Sequence, residues 1–348
     1  MAKNDAAHDL DASARRHLLI IRFSSFGDII HGIGVPAAFK AHFPGAAVDW
    51  LVRADLKGLV DDHPAIDRVI PFERKSGWLG LLKTSWQLAR SDYTHVYDAH
   101  SNVRAFFVRA IFRLAGSKAS VVRRSKDRFR RWLLFALRRN TLPRPFRSAD
   151  SFHRPLVQWG LPPTTPPGAH YFPKAALPPE IETELAKLPR PLYALAPSAA
   201  WEMKRWPIEH WLSFMRQVGD GSFVLLGGPE DGFIENLTRE FPNRALNVAG
   251  RLSLAQSASV LARADLIVAN DTGMMHAADQ MERPTIALIG PTAFGYPSPP
   301  KSRALEIELP CKPCSKDGSG RCVNDLYKRC LVDLKPEAVI AAAREMTK

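Results

Sequence analysis

Three stretches of the chain bring carboxylates, hydroxyls and small residues together as catalysis or phosphate binding would need. The first is Arg22-Phe23-Ser24-Ser25-Phe26-Gly27-Asp28-Ile29-Ile30-His31. An apolar run ends at Phe23, two hydroxyls and a glycine form a turn, and Asp28 stands where a helix should begin. Two roles suit Asp28: a cap for that helix, or a general base at the edge of a sheet. The second stretch is Pro197-Ser198-Ala199-Ala200-Trp201-Glu202-Met203-Lys204-Arg205-Trp206-Pro207. Its free backbone N–H groups and Lys204 could hold a phosphate; an ordinary strand–helix loop is the plainer alternative. The third is Val268-Ala269-Asn270-Asp271-Thr272-Gly273-Met274-Met275-His276. Asp271 or Thr272 is expected to cap a helix, whose N-terminus favours a negative group, and Gly273 to let a ligand approach the backbone. His276 follows one turn on, as a site residue or an ordinary helix histidine. Gly290-Pro291-Thr292 and Gly227-Gly228-Pro229-Glu230-Asp231 end two more strands. In the latter a carboxylate could take ribose hydroxyls or merely cap.

Two other patterns carry less. Gly32-Ile33-Gly34-Val35-Pro36-Ala37 has the spacing of a dinucleotide fingerprint, but it lies a turn inside the expected helix instead of directly after the strand. The four cysteines, Cys311, Cys314, Cys322 and Cys330, have the spacing C-x2-C-x7-C-x7-C. A structural zinc site, reduced buried thiols and disulfides all remain open from spacing alone.

Alternating strands and helices are expected to position these groups. In the first half strands are expected over 18–23, 47–52, 69–72 and 94–98, with helices over 29–42, 56–62 and 79–90. In the second half strands are expected over 192–197, 222–226, 245–248, 265–269 and 285–289. Helices there are expected over 207–218, 230–240, 253–263, 274–281 and 336–346. This alternation indicates parallel pairing in doubly wound α/β units, with ligands outside the carboxyl ends of the strands. Pro162, Pro163, Pro166, Pro167, Pro173, Pro178, Pro179, Pro189 and Pro191 crowd one interval and mark the boundary between the units. The expected division is a polar tail over 1–16, one unit over 17–175 and another over 176–348.

The 348 residues suit two domains, and 46% hydrophobic with 24% charged residues argues against wholesale disorder. No apolar run reaches the roughly 18 residues of a membrane span. The polar tail has no apolar stretch, so no secretory signal and a cytoplasmic location are expected. The net charge of +13 is concentrated: residues 100–148 hold 14 basic residues against one acid, Asp127. Such a segment calls for a polyanionic partner: nucleic acid, an anionic membrane or a phosphorylated substrate. Within it Phe129, Trp132, Leu133, Ala136 and Leu137 follow helical spacing. No nucleic-acid motif accompanies the charge, so nucleic acid is not an expected partner.

Ser24-Ser25-Phe26-Gly27-Asp28-Ile29-Ile30-His31, Lys204-Arg205-Trp206-Pro207, Asn270-Asp271-Thr272-Gly273 with His276, and Gly290-Pro291-Thr292 together resemble the ADP-heptose:lipopolysaccharide heptosyltransferases, glycosyltransferase family 9. The likeness runs from about residue 18 to 343. It implies a GT-B fold, two Rossmann-like domains facing across a cleft, with the acceptor on the N-terminal and the donor on the C-terminal domain. It implies inverting transfer of heptose from ADP-heptose to the lipopolysaccharide inner core, with no metal and no cofactor. It assigns Asp28 as catalytic base and places Lys204 near the donor phosphates. Asp271, Thr272, Gly273 and His276 line the donor site, with Ser24, Ser25, Gly27, Ser198, Gly290, Pro291 and Thr292 beside it. Asp231, with Glu230 as alternative, would hold the ribose. Arg104, Arg124, Arg128, Arg131, Trp132 and Arg138 would meet the acceptor or the anionic inner face of the inner membrane, where a peripheral enzyme would work. The only Asp-x-Asp, the usual metal motif of nucleotide-sugar enzymes, is Asp9-Leu10-Asp11 in the tail.

The chain's ends point to different acceptors. Ser24-Ser25-x-Gly-Asp and His31 look like the enzyme that adds the first heptose to Kdo, and the cysteine-bearing tail like those that add later ones. Two other functions compete: a family-9-like transferase using another nucleotide sugar, and a non-catalytic anion- or nucleic-acid-binding protein on a Rossmann-like scaffold.

Overall fold

Short runs of apolar residues with both faces buried build two all-parallel sheets, as expected where helices cover both sides. The computed structural model describes residues 15–166, 170–298 and 301–347. Asp9-Leu10-Asp11, most of the polar tail and Pro167 lie outside the described residues. The first lobe carries β1 (His17–Ile21), β2 (Ala47–Arg53), β3 (Arg68–Phe72), β4 (His95–Asp98) and β5 (Ser120–Arg123), in the order β3-β2-β1-β4-β5. Its helices are α1 (Phe26–Gly32), α2 (Val35–His42), α3 (Gly77–Ala89), α4 (Val103–Leu114), α5 (Arg128–Leu137) and α6 (Ser148–His153). Leu18 and Ile20 pack with Ile29, Val35 and Phe39 of α1 and α2. Leu19 and Ile21 point the other way, onto Leu81 and Leu88 of α3 and Val108 and Ile111 of α4. Each such side chain contributes about 1.5–3 kcal/mol on full burial.

The second lobe repeats the plan. Its strands are β6 (Leu192–Ala196), β7 (Ser222–Leu225), β8 (Ala245–Asn247), β9 (Leu266–Asn270), β10 (Thr285–Ile289) and β11 (Ser302–Glu306). They lie in the order β11-β10-β9-β6-β7-β8. Its helices are α7 (Pro179–Ala186), α8 (Ile208–Gln217), α9 (Ile234–Arg239), α10 (Leu254–Arg263), α11 (Gly273–Gln280), α12 (Arg329–Val332) and α13 (Pro336–Met346). Ser253 caps α10 in a reciprocal box with Gln256, and α13 closes on α8 through Val339, Ile340, Trp211 and Phe214.

In each sheet the chain reverses direction of travel beside the central strand, between β1 and β4 and between β6 and β9. These are the switch points at which doubly wound sheets bind ligands. The Ser24–Asp28 turn leaves β1, the Lys204 loop leaves β6, and Asp271 leaves β9.

The structure departs from expectation in places. The helix expected over 29–42 is two helices, α1 and α2, broken at Ile33 and Gly34. Pro36 cannot donate to the carbonyl of Gly32, and its ring crowds that oxygen. The helix expected over 56–62 is a 3-10 turn, Ala54–Leu59. Helices α4, α6, α7 and α12 and strands β5 and β11 had no expected counterpart. No helix among the described residues is long and apolar enough to cross a membrane.

Candidate active site

A cleft of about 720 Å³ opens between the carboxyl edges of the two sheets. Its lining holds seven cations, Arg22, Arg124, Lys126, Arg128, Arg131, Lys204 and Lys316, against three carboxylates, Asp28, Asp271 and Asp317. Such a surface suits a doubly charged anion, or two anions at once.

Asp28 stands in the first turn of α1 and does not cap it; the N-cap, Ser25, has no capping side-chain hydrogen bond either. Instead the Ser25 hydroxyl donates to Asp28 Oδ2 at 2.8 Å. Arg22, buried at the end of β1, forms an ion pair with that same oxygen and donates to the Ala99 carbonyl at 2.7 Å. Arg124 reaches Oδ1 at 3.4 Å; its guanidinium lies over the Phe152 ring at 3.7 Å and donates to the Ser151 hydroxyl at 2.8 Å. Burial alone would raise the Asp28 carboxyl, but the two arginines and Ser25 hold it down at about 2. Asp28 is therefore fully ionised at neutral pH, and about a third of its side chain stays open to the cleft.

The opposite wall is built by the second lobe. Asp271 is buried and takes Lys204 Nζ at 2.9 Å and the Thr292 hydroxyl at 2.6 Å. Burial would raise its carboxyl, yet Lys204, His276 and Thr292 keep it low. His276 Nε2 lies 3.7 Å from Asp271 Oδ1, and burial pushes this imidazole down to about 4. The His276 ring meets His31 of α1 edge-on, with centroids 4.3 Å apart. His31 is also held well below the ordinary histidine range, chiefly by burial and then by His276. Both histidines are neutral donors or acceptors at pH 7.

Several expectations change on inspection. Of the two expected caps for α11, Thr272 takes the N-cap position, without a side-chain hydrogen bond to the helix, and Asp271 is engaged elsewhere. What approaches Gly273 is the ring of Phe26, which would lie 2.7 Å from a Cβ there. Asn270, within the same motif, is structural: it accepts from the Trp206 N–H at 3.1 Å and donates to the Pro197 carbonyl at 2.7 Å. Asp231 is buried against the Gly228 N–H at 2.8 Å and Arg205 at 3.4 Å. It lies outside the cleft lining, as do Glu230, Ser24, Ser198, Thr272, Gly273, Gly290 and Pro291. Gly290 leaves room for Leu331, and Gly32 for Phe152, 3.0 Å from a Cβ at either position.

The basic segment divides. Arg124, Arg128 and Arg131 line the cleft. Arg131 stacks over Phe294 of the second lobe at 4.4 Å, and Arg138 donates to the Pro313 carbonyl at 3.0 Å. The guanidinium groups of Arg124, Arg131 and Arg138 thus all make contacts within the protein. Arg104 and Trp132 stay exposed, away from the cleft lining.

The cysteine-bearing tail supplies residues that sequence reasoning missed. The Pro291 carbonyl accepts from the N–H groups of Cys314 and Ser315 at 3.1 and 3.2 Å. This anchors the tail, so that Lys316 and Asp317 line the cleft and Gly318 crosses the Lys204 side chain. The four cysteines are free thiols; Cys330 is pushed up to about 11, mainly by burial. Among the described residues no group of three or more His, Cys, Asp or Glu side chains is placed to hold a metal ion.

Comparison with known proteins agrees with this architecture. The family model described as glycosyltransferase family 9 (heptosyltransferase) matches residues 83–328. Lipopolysaccharide heptosyltransferase 1 of Pseudomonas aeruginosa is 29% identical over 315 residues, covering 86% of each chain. The structure of a family 9 glycosyltransferase from Veillonella parvula superposes with a TM-score of 0.71 at 19% identity, covering 95% of this chain and 97% of that one. The E. coli heptosyltransferase WaaC, solved with ADP-2-deoxy-2-fluoro heptose, gives 0.64 at 21% identity, covering 94% and 99%.

Proposed function

Since the chain belongs to glycosyltransferase family 9 and has the GT-B fold, we propose that it transfers heptose from ADP-heptose to the inner core of lipopolysaccharide, with inversion and without a metal ion. The acceptor is Kdo-lipid A or heptosylated core. That lipid anchor would place the enzyme at the anionic inner face of the inner membrane, as a peripheral cytoplasmic protein; nucleic acid is no partner.

The observation that carries this reading is the cleft with an ionised, arginine-held carboxylate, Asp28, on one wall and the Lys204–Asp271–His276 group on the other. The acceptor hydroxyl oxygen attacks the anomeric carbon while Asp28 takes its proton. The bond from that carbon to the ADP phosphate oxygen breaks, and the electron pair leaves with ADP. Preformed cations aimed at developing charge are the largest single aid to such a step. Lys204 and Lys316 line this part of the cleft and would face the diphosphate. Asp28 and Asp271 are already committed to arginine and lysine, which favours the chain's own cations over a bridging metal.

The test is turnover of ADP-heptose in EDTA with each of the two acceptors, with the anomeric configuration of the product read by NMR. Transfer that persists in EDTA and inverts the anomeric centre is expected. Activity that EDTA abolishes and Mg²⁺ or Mn²⁺ restores would overturn the metal-free step. Turnover only with another nucleotide sugar would overturn heptose.

A further inference from the structure

Helices α3 and α4 pack side by side over the first sheet, burying Leu81, Leu88, Val108 and Ile111. A helix in this position ordinarily turns charged residues to solvent. Here several of the outward residues are apolar: Leu79 is 82% exposed, Val103 70%, Phe106 60% and Trp78 56%. Trp78 stands edge-on to Phe107, centroids 5.6 Å apart. At the start of α5, Phe129 and Trp132 are likewise exposed and stack on each other at 6.0 Å. The exposed apolar side chains on the packed pair α3 and α4 make a patch of a kind that is rare on a soluble protein without a partner.

The charges choose the partner. Helices α3 and α4 contain no acid; Lys83, Arg104, Arg109 and Arg113 are their only charged side chains. Arg109 is engaged with buried Asp98 at 2.9 Å, leaving Lys83, Arg104 and Arg113 exposed. A second copy of this face would set cations against cations. Exposed tryptophan and phenylalanine with a cationic rim match the interface of an anionic bilayer. Position agrees as well. All strands of the first sheet are parallel, so α3, α4, α5 and the Asp28 turn begin at one edge.

We propose that α3, α4 and the start of α5 form a docking surface for an anionic lipid bilayer, with the aromatic side chains entering the interface and the basic side chains meeting headgroups. The proposal rests on the reading of a lipid-anchored acceptor, which this edge would meet at the mouth of the cleft.

The experiment is co-sedimentation of the full chain with phosphatidylglycerol-containing vesicles and with pure phosphatidylcholine vesicles. The parent protein is expected to bind the former selectively. Leu79→Glu with Phe106→Glu should weaken that binding by about tenfold or more, with melting temperature and turnover of a delipidated, soluble acceptor unchanged. Lys83→Gln with Arg113→Gln, which leaves the apolar side chains intact, should weaken it by about tenfold as well. Absence of parental binding, or binding by both variants equal to that of the parent, would overturn the proposal. So would a dimer in sedimentation velocity that the Leu79/Phe106 variant dissociates without any change in vesicle binding. If no acceptor is turned over but vesicle binding still depends on these residues, the heptosyl reading fails and the docking surface stands.

Discussion

Asp28 is clamped by Arg22 and Arg124, and the clamp sets its chemistry. A carboxylate held near 2 is a weak base, yet it is always ionised and its oxygens are fixed by Ser25, Arg22 and Arg124. Proton transfer to it becomes favourable only as the acceptor hydroxyl bonds to carbon and turns acidic, so it acts during the attack. Asp28→Asn keeps the shape but not the proton acceptor. It should lower kcat by about 10²–10⁴-fold and leave ADP affinity, measured by calorimetry, within a few-fold. A near-parental kcat would leave Asp28 a merely structural partner of the arginines. The motif exposed Asp28 to sequence reasoning; its partners were less visible. Arg124 lies 96 positions away, and the sequence placed it only among the basic residues facing the acceptor or the membrane. Asp231 is ambiguous for the opposite reason: a carboxylate after a glycine pair looks the same in sequence whether it takes a ribose or caps, and here its Oδ2 accepts from the Gly228 N–H.

At the scale of elements, the strand–helix alternation was legible because fully buried parallel strands are short apolar runs. Strands β5 and β11 were not, since each is an edge strand with exposed residues. The tail was illegible as a cleft wall because its placement depends on backbone bonds to Pro291, which leave no pattern in side chains. The contact of α1 with α11 is the element pair on which the cleft depends. Phe26 packs into cores of both lobes, and Ile30 of α1 is buried among second-lobe residues. Gly273 is required there by the Phe26 ring. Gly273→Ala should therefore cost about 1–3 kcal/mol and reduce kcat, by pushing α1 and Asp28 away from α11. Adding Phe26→Leu should recover part of the melting temperature. Full stability and activity in the single Gly273→Ala variant would show that the lobes do not depend on this contact.

Most of the molecule's described histidines are buried or half-buried, and that should make it acid-labile. Burial holds His63, His95, His153 and His276 at about 4 and His100 at about 3, while His31, His170 and His210 are also lowered. In the unfolded chain each would titrate near 6.5. Below that value the unfolded state binds protons that the folded state refuses, so stability falls as pH drops from about 6.5 towards 4 and is unaffected above 7. Each such group adds a slope of up to about 1.4 kcal/mol per pH unit. Asp279 and Asp150 oppose them, since burial raises both carboxyls, that of Asp279 to about 6, and they favour the folded state as pH falls; two carboxyls do not offset five histidines. Asp28 contributes nothing in this window, because its stabilisation is lost only as pH falls below about 4 towards 2. The melting temperature should therefore drop by on the order of 10 °C between pH 7 and pH 5. Calorimetry at pH 5 in buffers of different ionisation enthalpy should register uptake of several protons on unfolding. Two of these histidines, His31 and His276, meet across the cleft. His31→Phe keeps that ring contact and removes one titrating group, so it should flatten the pH dependence while leaving the melting temperature at pH 7 nearly unchanged. A melting temperature that is level from pH 7 to pH 5, in parent and variant alike, would mean that these imidazoles are not held neutral by the fold.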